Sequence, residues 1–145
     1  MLSKLITYLK YEEQLLKDLF NLAERQQNAL IKMKLEDIGD ITSLQEEISG
    51  NLRKAEDNRL TIIANWLKIT KQKATQVKLS ELAKLCNKNE ETEINNLKES
   101  MNLLMSELHL INTSNRVLTN RARHSVKEMI EILTNGTNNV CNVRV

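Results

Sequence analysis

Residues 94–133 have the sequence INNLKESMNLLMSELHLINTSNRVLTNRARHSVKEMIEIL, and the predicted architecture depends on this stretch. Apolar or small residues recur in it at spacings of three and four, which places them on one stripe of an α-helix. No Gly or Pro interrupts it, so one continuous helix of about 60 Å is allowed. A rod of that length cannot bury its own stripe, so it must pack on other helices. The stripe consists of Ile94, Leu97, Met101, Leu104, Leu108, Ile111, Asn115, Leu118, Ala122, Val126, Met129 and Leu133.

The composition favours an elongated helical protein. Aromatic residues make up only 3% of the chain and Pro is absent, so any core must consist of Leu, Ile, Met and Ala. Three Gly in 145 residues leave little turn chemistry for a β-rich fold. We therefore predict an all-α fold, in which an elongated antiparallel helical hairpin and a long C-terminal helix form a coiled-coil-like bundle.

Two amphipathic segments precede the long helix. Their apolar spacing predicts helices over residues of about 2–33 and 35–67, joined by a short turn near residues 32–34. Two helices of this length with a short connection are expected to pack antiparallel. Glu12 interrupts the first apolar stripe, and Arg59 occupies a position of the second.

The segments on either side of the long helix contain local signals for its ends. Residues 68–78 have no apolar stripe and indicate a basic linker, followed by a short helix over residues 79–87 with Ser80 as its cap. Asn87 and Glu90 have the spacing of a capping box for a helix over residues 89–134. Gly136 is expected to end that helix. The prediction is a single domain over residues 1–136 with a flexible tail over residues 137–145.

The charge distribution and the cysteines give no indication of nucleic acid or membrane partners. The net charge is only +2, and the basic segment 68–89, with six Lys/Arg against one Asp/Glu, contains no aromatic residue to stack on a base. The chain has no visible signal peptide and no run near the roughly 20 apolar residues of a membrane span. Cys86 and Cys141 are predicted to be free thiols in a reducing cytosol.

No motif for catalysis, metal binding or cofactor binding is present, so no enzyme activity and no cofactor are predicted. One alternative concerns His124, since Lys127 follows it at the spacing seen in the phospho-acceptor helix of histidine phosphotransfer domains. Those domains continue with Gly, where this chain has Glu128. A solvated His on a polar face is the alternative interpretation, because Val126 belongs to the apolar stripe and His124 does not.

Asn115 is an unusual residue on the stripe, between Ile111 and Leu118. It can be a buried polar group that sets the register of the helices, as in coiled coils. It can also mark, together with Asn112 and Arg116, the point where the stripe stops serving the protein's own core. In the second interpretation the helix beyond Leu118 faces a partner, and both interpretations remain open from the sequence.

The segment LHLINTSNRVLTNRARHSVKEMIEIL, residues 108–133, resembles the final helix of the FlgN family of flagellar type III export chaperones. The family's Asn-x-x-Asn-Arg-x-Leu pattern falls on Asn112, Asn115, Arg116 and Leu118. The N-terminal half is similar in style, with ERQQNALIK at residues 24–32 and EDNRL at residues 56–60. The resemblance covers nearly the whole chain.

This resemblance implies a cytoplasmic chaperone that binds the terminal amphipathic helices of the hook-filament junction proteins, which are hook-associated proteins. It would prevent their premature assembly and deliver them to components of the flagellar export gate. A self-associating coiled-coil scaffold is the main alternative, and a homodimer is compatible with either function. The predicted partner-binding residues are Asn112, Asn115, Arg116, Leu118, Ala122, Val126, Met129, Ile130 and Leu133.

Overall fold

The computed structural model describes the backbone of residues 2–144 and the side chains of residues 2–135. This part of the chain is built from helices and contains no strand, which confirms the all-α prediction. The helices are α1 (Leu2–Ile31), α2 (Leu35–Leu67), α3 (Lys71–Ala74), α4 (Leu79–Ala83) and α5 (Lys88–Arg144).

Helices α1 and α2 form the predicted antiparallel hairpin. Arg59 Nε donates to Glu12 Oε2 over 2.8 Å, and Gln45 Nε2 donates to Gln26 Oε1 over 3.0 Å. Residue numbers along α2 fall as those along α1 rise, so the two helices run in opposite directions. Met33 adopts a left-handed conformation, with φ of 55°, and makes the turn between them.

Helix α5 packs along α1 in the same direction. Lys10 Nζ lies 2.6 Å from Glu93 Oε1, and Gln27 Nε2 donates to Ser114 Oγ over 3.1 Å. Residue numbers therefore rise together along the two helices. Helix α1 packs against both α2 and α5, so it connects the other two long helices of the bundle.

The apolar core has two parts. The larger part joins all five helices at the end of the bundle opposite the hairpin turn, and it includes Leu5, Leu9, Ile63, Leu82 and Ile94, each fully buried. The smaller part lies near the turn and consists of Leu22, Ala29 and Ile41, with Ile38 and Ile48 packed beside them. Only α1 and α2 supply the smaller core, so α5 leaves the apolar interior before it passes the hairpin turn.

Some local predictions hold and others are wrong. Asn87 caps α5 as predicted, because its Oδ1 accepts a hydrogen bond of 2.9 Å from the backbone N–H of Glu90. The linker 68–78 is not featureless: Thr70 caps α3, and Ala74 is buried in the larger core. Ser80 is not a cap, since α4 already begins at Leu79.

The predicted end of the long helix also differs from the structure. Helix α5 continues past Gly136 to Arg144, because one Gly costs a helix only about 1 kcal/mol and does not forbid it. The side chains of residues 136–145, including Cys141, lie outside the described residues. The flexible tail over residues 137–145 stays a prediction.

Candidate functional site

Asn115 lies in the interface between α1 and α5. Its side chain is 3% exposed, and Nδ2 donates hydrogen bonds of 2.9 Å to the carbonyl oxygen of Ala23 and 3.3 Å to Gln26 Oε1. Its Oδ1 is buried and has no hydrogen-bond partner among the described residues. These contacts favour the register-setting interpretation, and they place Asn115 inside the bundle rather than on a surface that a partner can reach.

The hydrogen bonds of Asn115 lie near the point where α5 extends past the end of α1. Gln26 accepts from Asn115 of α5 and from Gln45 of α2, so three helices meet at one polar layer. Helix α1 ends at Ile31, only five residues beyond Gln26, whereas α5 continues to Arg144. We call residues 119–135 of α5 the arm, because they lie past this layer and several of them face the region of the hairpin turn.

The arm exposes a set of large apolar side chains. Between two-fifths and seven-tenths of their surface is accessible, because α1 has ended and the arm has little of the bundle to pack on. The exposed fractions are 40% for Val126, 62% for Met129, 57% for Ile130, 70% for Ile132 and 67% for Leu133. Ile132 was missed from the sequence, since it lies outside the stripe, about 100° around the helix from the stripe residue Leu133.

An apolar cleft of about 730 Å³ separates the arm from the hairpin turn. The chain segment around the turn supplies one wall, and we call its lining residues the hairpin tip. Met33 and Leu35 of the hairpin tip are 49% and 66% exposed, although they adjoin a turn where polar residues are usual. The hairpin tip residues are Leu30, Met33, Leu35 and Ile38, and the arm residues opposite are Thr119, Ala122, Arg123, Val126, Lys127, Ile130 and Glu131.

The structure brings together only some of the predicted partner-binding residues. Ala122, Val126 and Ile130 line the cleft. Met129 and Leu133 belong to the same apolar stripe of the arm, and both are exposed.

The other four predicted residues lie before the arm. Asn115 is buried against α1, Leu118 is half-buried, and Asn112 and Arg116 are exposed; none of the four lines the cleft. The structure therefore does not join the Asn-Arg pattern to the apolar face.

Charged side chains border the cleft on the arm. Arg123, Lys127 and Glu131 follow one another at intervals of four residues, so they form a row along one side of the helix. Neither Arg123 nor Lys127 makes an ion pair with any residue among 2–135. The row can therefore offer its charges to a partner.

His124 lies away from the cleft. It is exposed and its Nε2 is 3.1 Å from Glu128 Oε1, one turn along the same helix. It lines a separate, shallower surface depression with Val117 and Arg121. The arrangement is that of a solvated surface pair.

The described residues contain no helix that is long and apolar enough to cross a membrane. Within the same residues, no group of His, Cys, Asp or Glu side chains could hold a metal ion. The apolar cleft and the exposed arm that borders it form the candidate site.

Comparisons with known proteins agree with the resemblance found in the sequence. The family model described as FlgN protein matches residues 1–143. No curated protein and no solved structure matches the chain. The chain belongs to the FlgN family, which is a family of flagellar export chaperones.

Proposed function

We propose that this chain is a cytoplasmic export chaperone for hook-associated proteins of the hook-filament junction. It binds their terminal amphipathic helices, prevents premature assembly and delivers them to the flagellar export gate. The observation that carries this proposal is the arm, whose large apolar side chains stay exposed outside both parts of the chain's own core.

Amphipathic helices that are meant to assemble in a growing filament would associate with one another in the cytoplasm. An apolar helix face can cover them by helix-to-helix packing. Complete burial of a large apolar side chain contributes about 1.5–3 kcal/mol, and the arm side chains are roughly half to two-thirds exposed, so each can add about 1–2 kcal/mol. The burial of several such residues offsets the free-energy cost of association by a small margin. This favours a complex that is stable and still releasable.

Met129 makes the face adaptable. Methionine has an unbranched, flexible side chain that fills surfaces of different shapes. A chaperone that holds more than one junction protein benefits from such a residue near the middle of its exposed stripe.

The test compares two pairs of substitutions with the same chemistry on the same helix. Met129→Asp with Ile130→Asp changes the arm, and Leu103→Asp with Leu110→Asp changes equally exposed apolar residues on the part of α5 that lies beside α1. Binding of a synthetic terminal helix of a hook-associated protein is measured by calorimetry. We expect the arm pair to weaken binding about 100-fold and the control pair to change it by less than about threefold. Equal effects of the two pairs would refute the arm as the binding face.

A second copy of the chain can also cover the arm, as the coiled-coil alternative requires. Sedimentation of the same variants separates the two functions. If the chain is a chaperone, it is a monomer when the junction helix is bound, either because its dimer dissociates or because it was monomeric before. A scaffold stays a dimer and does not bind the helix.

A further inference from the structure

We infer that the bound helix lies in the cleft between the hairpin tip and the arm, and that it carries carboxylates beside its apolar face. This inference rests on the proposed function and names the chemistry of the client, meaning the exported protein whose helix is held. It adds a second wall and a charge pattern to a site that the sequence placed on one helix only.

The second wall follows from the exposure of the hairpin tip. Met33 and Leu35 are half or more exposed, and they border the same cleft as Val126 and Ile130 of the arm. The cleft between the two walls has a volume of about 730 Å³, and most of its lining is apolar. A helix lying between the walls buries apolar side chains on both sides, whereas a helix on the outer side of the arm leaves the hairpin tip in water.

The charge pattern follows from the row formed by Arg123, Lys127 and Glu131. Residues four apart on a helix lie one turn apart on the same side. The two cations come first and have no ion pair with the described residues. A client helix that presents two carboxylates one turn apart complements them, and a cation one turn further complements Glu131.

The charges beside the cleft indicate which kind of helix occupies it. The cationic part of the row, Arg123 and Lys127, favours an acidic client helix over a basic one.

The wall is tested with Leu35→Asp, and Leu44→Asp on the same helix is the control. Both side chains are exposed and belong to neither part of the core, so we expect both variants to fold. An acidic residue at position 35 also lies in the first turn of α2, where it suits the helix dipole. The probe is a synthetic amphipathic peptide with a leucine face flanked by glutamates. We expect Leu35→Asp to weaken its binding about tenfold and Leu44→Asp to leave it unchanged. Unchanged binding to the Leu35 variant would overturn the second wall.

The charge pattern is tested with a second peptide in which lysines replace the glutamates. At low salt we expect the glutamate peptide to bind about tenfold more tightly, and high salt to remove most of the difference. Arg123→Glu should abolish the preference, while Arg121→Glu, which faces the other side of the arm, should retain it. Equal binding of the two peptides to the unmodified chain would overturn the acidic client.

The two proposals fail in different ways. If the junction helix binds the chain and its Leu35→Asp variant equally, the two-walled cleft is wrong and the chaperone function stands. If the glutamate peptide behaves as expected but no junction helix binds, the cleft stands and the choice of client is wrong. A third outcome is that the chain forms a dimer, that Leu35→Asp dissociates this dimer, and that the peptides do not displace the second copy. This outcome would overturn the inference, because the occupant of the cleft would then be a second copy of the chain.

Discussion

The Nδ2 atom of Asn115 donates a hydrogen bond of 2.9 Å to the backbone carbonyl oxygen of Ala23. This bond holds α5 at one position along α1, and the length of the arm depends on that position. A shift by one helical turn would move α5 by about 5.4 Å relative to the hairpin tip and change which side chains face the cleft. A buried polar group in the bundle therefore positions the apolar surface outside it.

The first prediction concerns the polarity of residue 115. Asn115→Asp puts carboxylate oxygens opposite two acceptors, the Ala23 carbonyl and Gln26 Oε1, and should lower the free energy of unfolding by about 3 kcal/mol. Asn115→Leu removes the buried Oδ1 that lacks a partner among the described residues, so it should cost less than about 1 kcal/mol. Urea unfolding of both variants measures these changes, and a Leu variant less stable than the Asp variant would contradict the assignment.

The second prediction concerns the pH dependence of stability. Glu12 is buried, and burial raises its pKa above the ordinary value of 4.5, although Arg59 lowers it. The folded state therefore binds this proton more tightly than the unfolded state. Stability contributed by Glu12 is present below about pH 4.5 and is lost as the pH rises through the raised pKa.

The matched variant for this prediction is Glu12→Gln, which keeps the shape and does not titrate. We expect the free energy of unfolding of the wild-type chain, relative to the variant, to increase when the pH is lowered from about 7 to about 5. Arg59 and Glu56 on α2 and Lys98 on α5 border the same groove and are unchanged in the variant, so the difference isolates Glu12. A difference that decreases over this range would show that Arg59 dominates the pKa of Glu12.

The third prediction concerns the end of α2. Lys68 is exposed and has a left-handed conformation, with φ of 54°, at a position where Gly is usual. Lys68→Gly removes the strain and should raise the free energy of unfolding by about 1 kcal/mol. Lys54→Gly, in the exposed interior of the same helix, should lower it by about as much. Thermal unfolding of the two variants should shift the midpoint in opposite directions.

The fourth prediction concerns removal of residues 118–145. The last side chain packed against the larger core is Leu108, and the smaller core contains no residue of α5. The truncated chain should keep its fold, with a free energy of unfolding within about 2 kcal/mol of the full chain, because the described residues that are removed belong to neither part of the core, and among them Leu118, Thr119 and Ala122 are half-buried. It should no longer retain a junction helix. Circular dichroism and a pull-down test the two halves of the prediction, and loss of cooperative unfolding would contradict the first.

Much of the fold could be predicted because its determinants are local. The spacing of apolar residues indicates the long helices, and the Asn87 cap depends on a residue only three positions away. Glu12 and Arg59 each stood out as charged residues on an apolar stripe. Their ion pair could not be derived, since it joins residues 47 positions apart.

The site could be predicted only in part, because a cleft has two walls. The arm residue Val126 was predicted from the stripe, and Ile130, one turn further along the same helix, was predicted with it. The hairpin tip residues Met33 and Leu35 lie about ninety positions earlier, and only the packing of α5 on α1 brings them opposite the arm. The role of Asn115 stayed open for the same reason. Its hydrogen-bond partner Ala23 is 92 positions away in the sequence, and local spacing cannot predict such a contact.

The most direct test of the central claim is hydrogen–deuterium exchange of the whole chain, with and without the terminal helix of a hook-associated protein. In the free chain, amides of the arm should exchange faster than those of residues 94–115, which pack on α1. Addition of the junction helix should slow exchange in the arm and at the hairpin tip and leave the larger core unchanged. An arm already as protected as the core in the free chain, or slowed exchange elsewhere but not in the arm, would contradict the account.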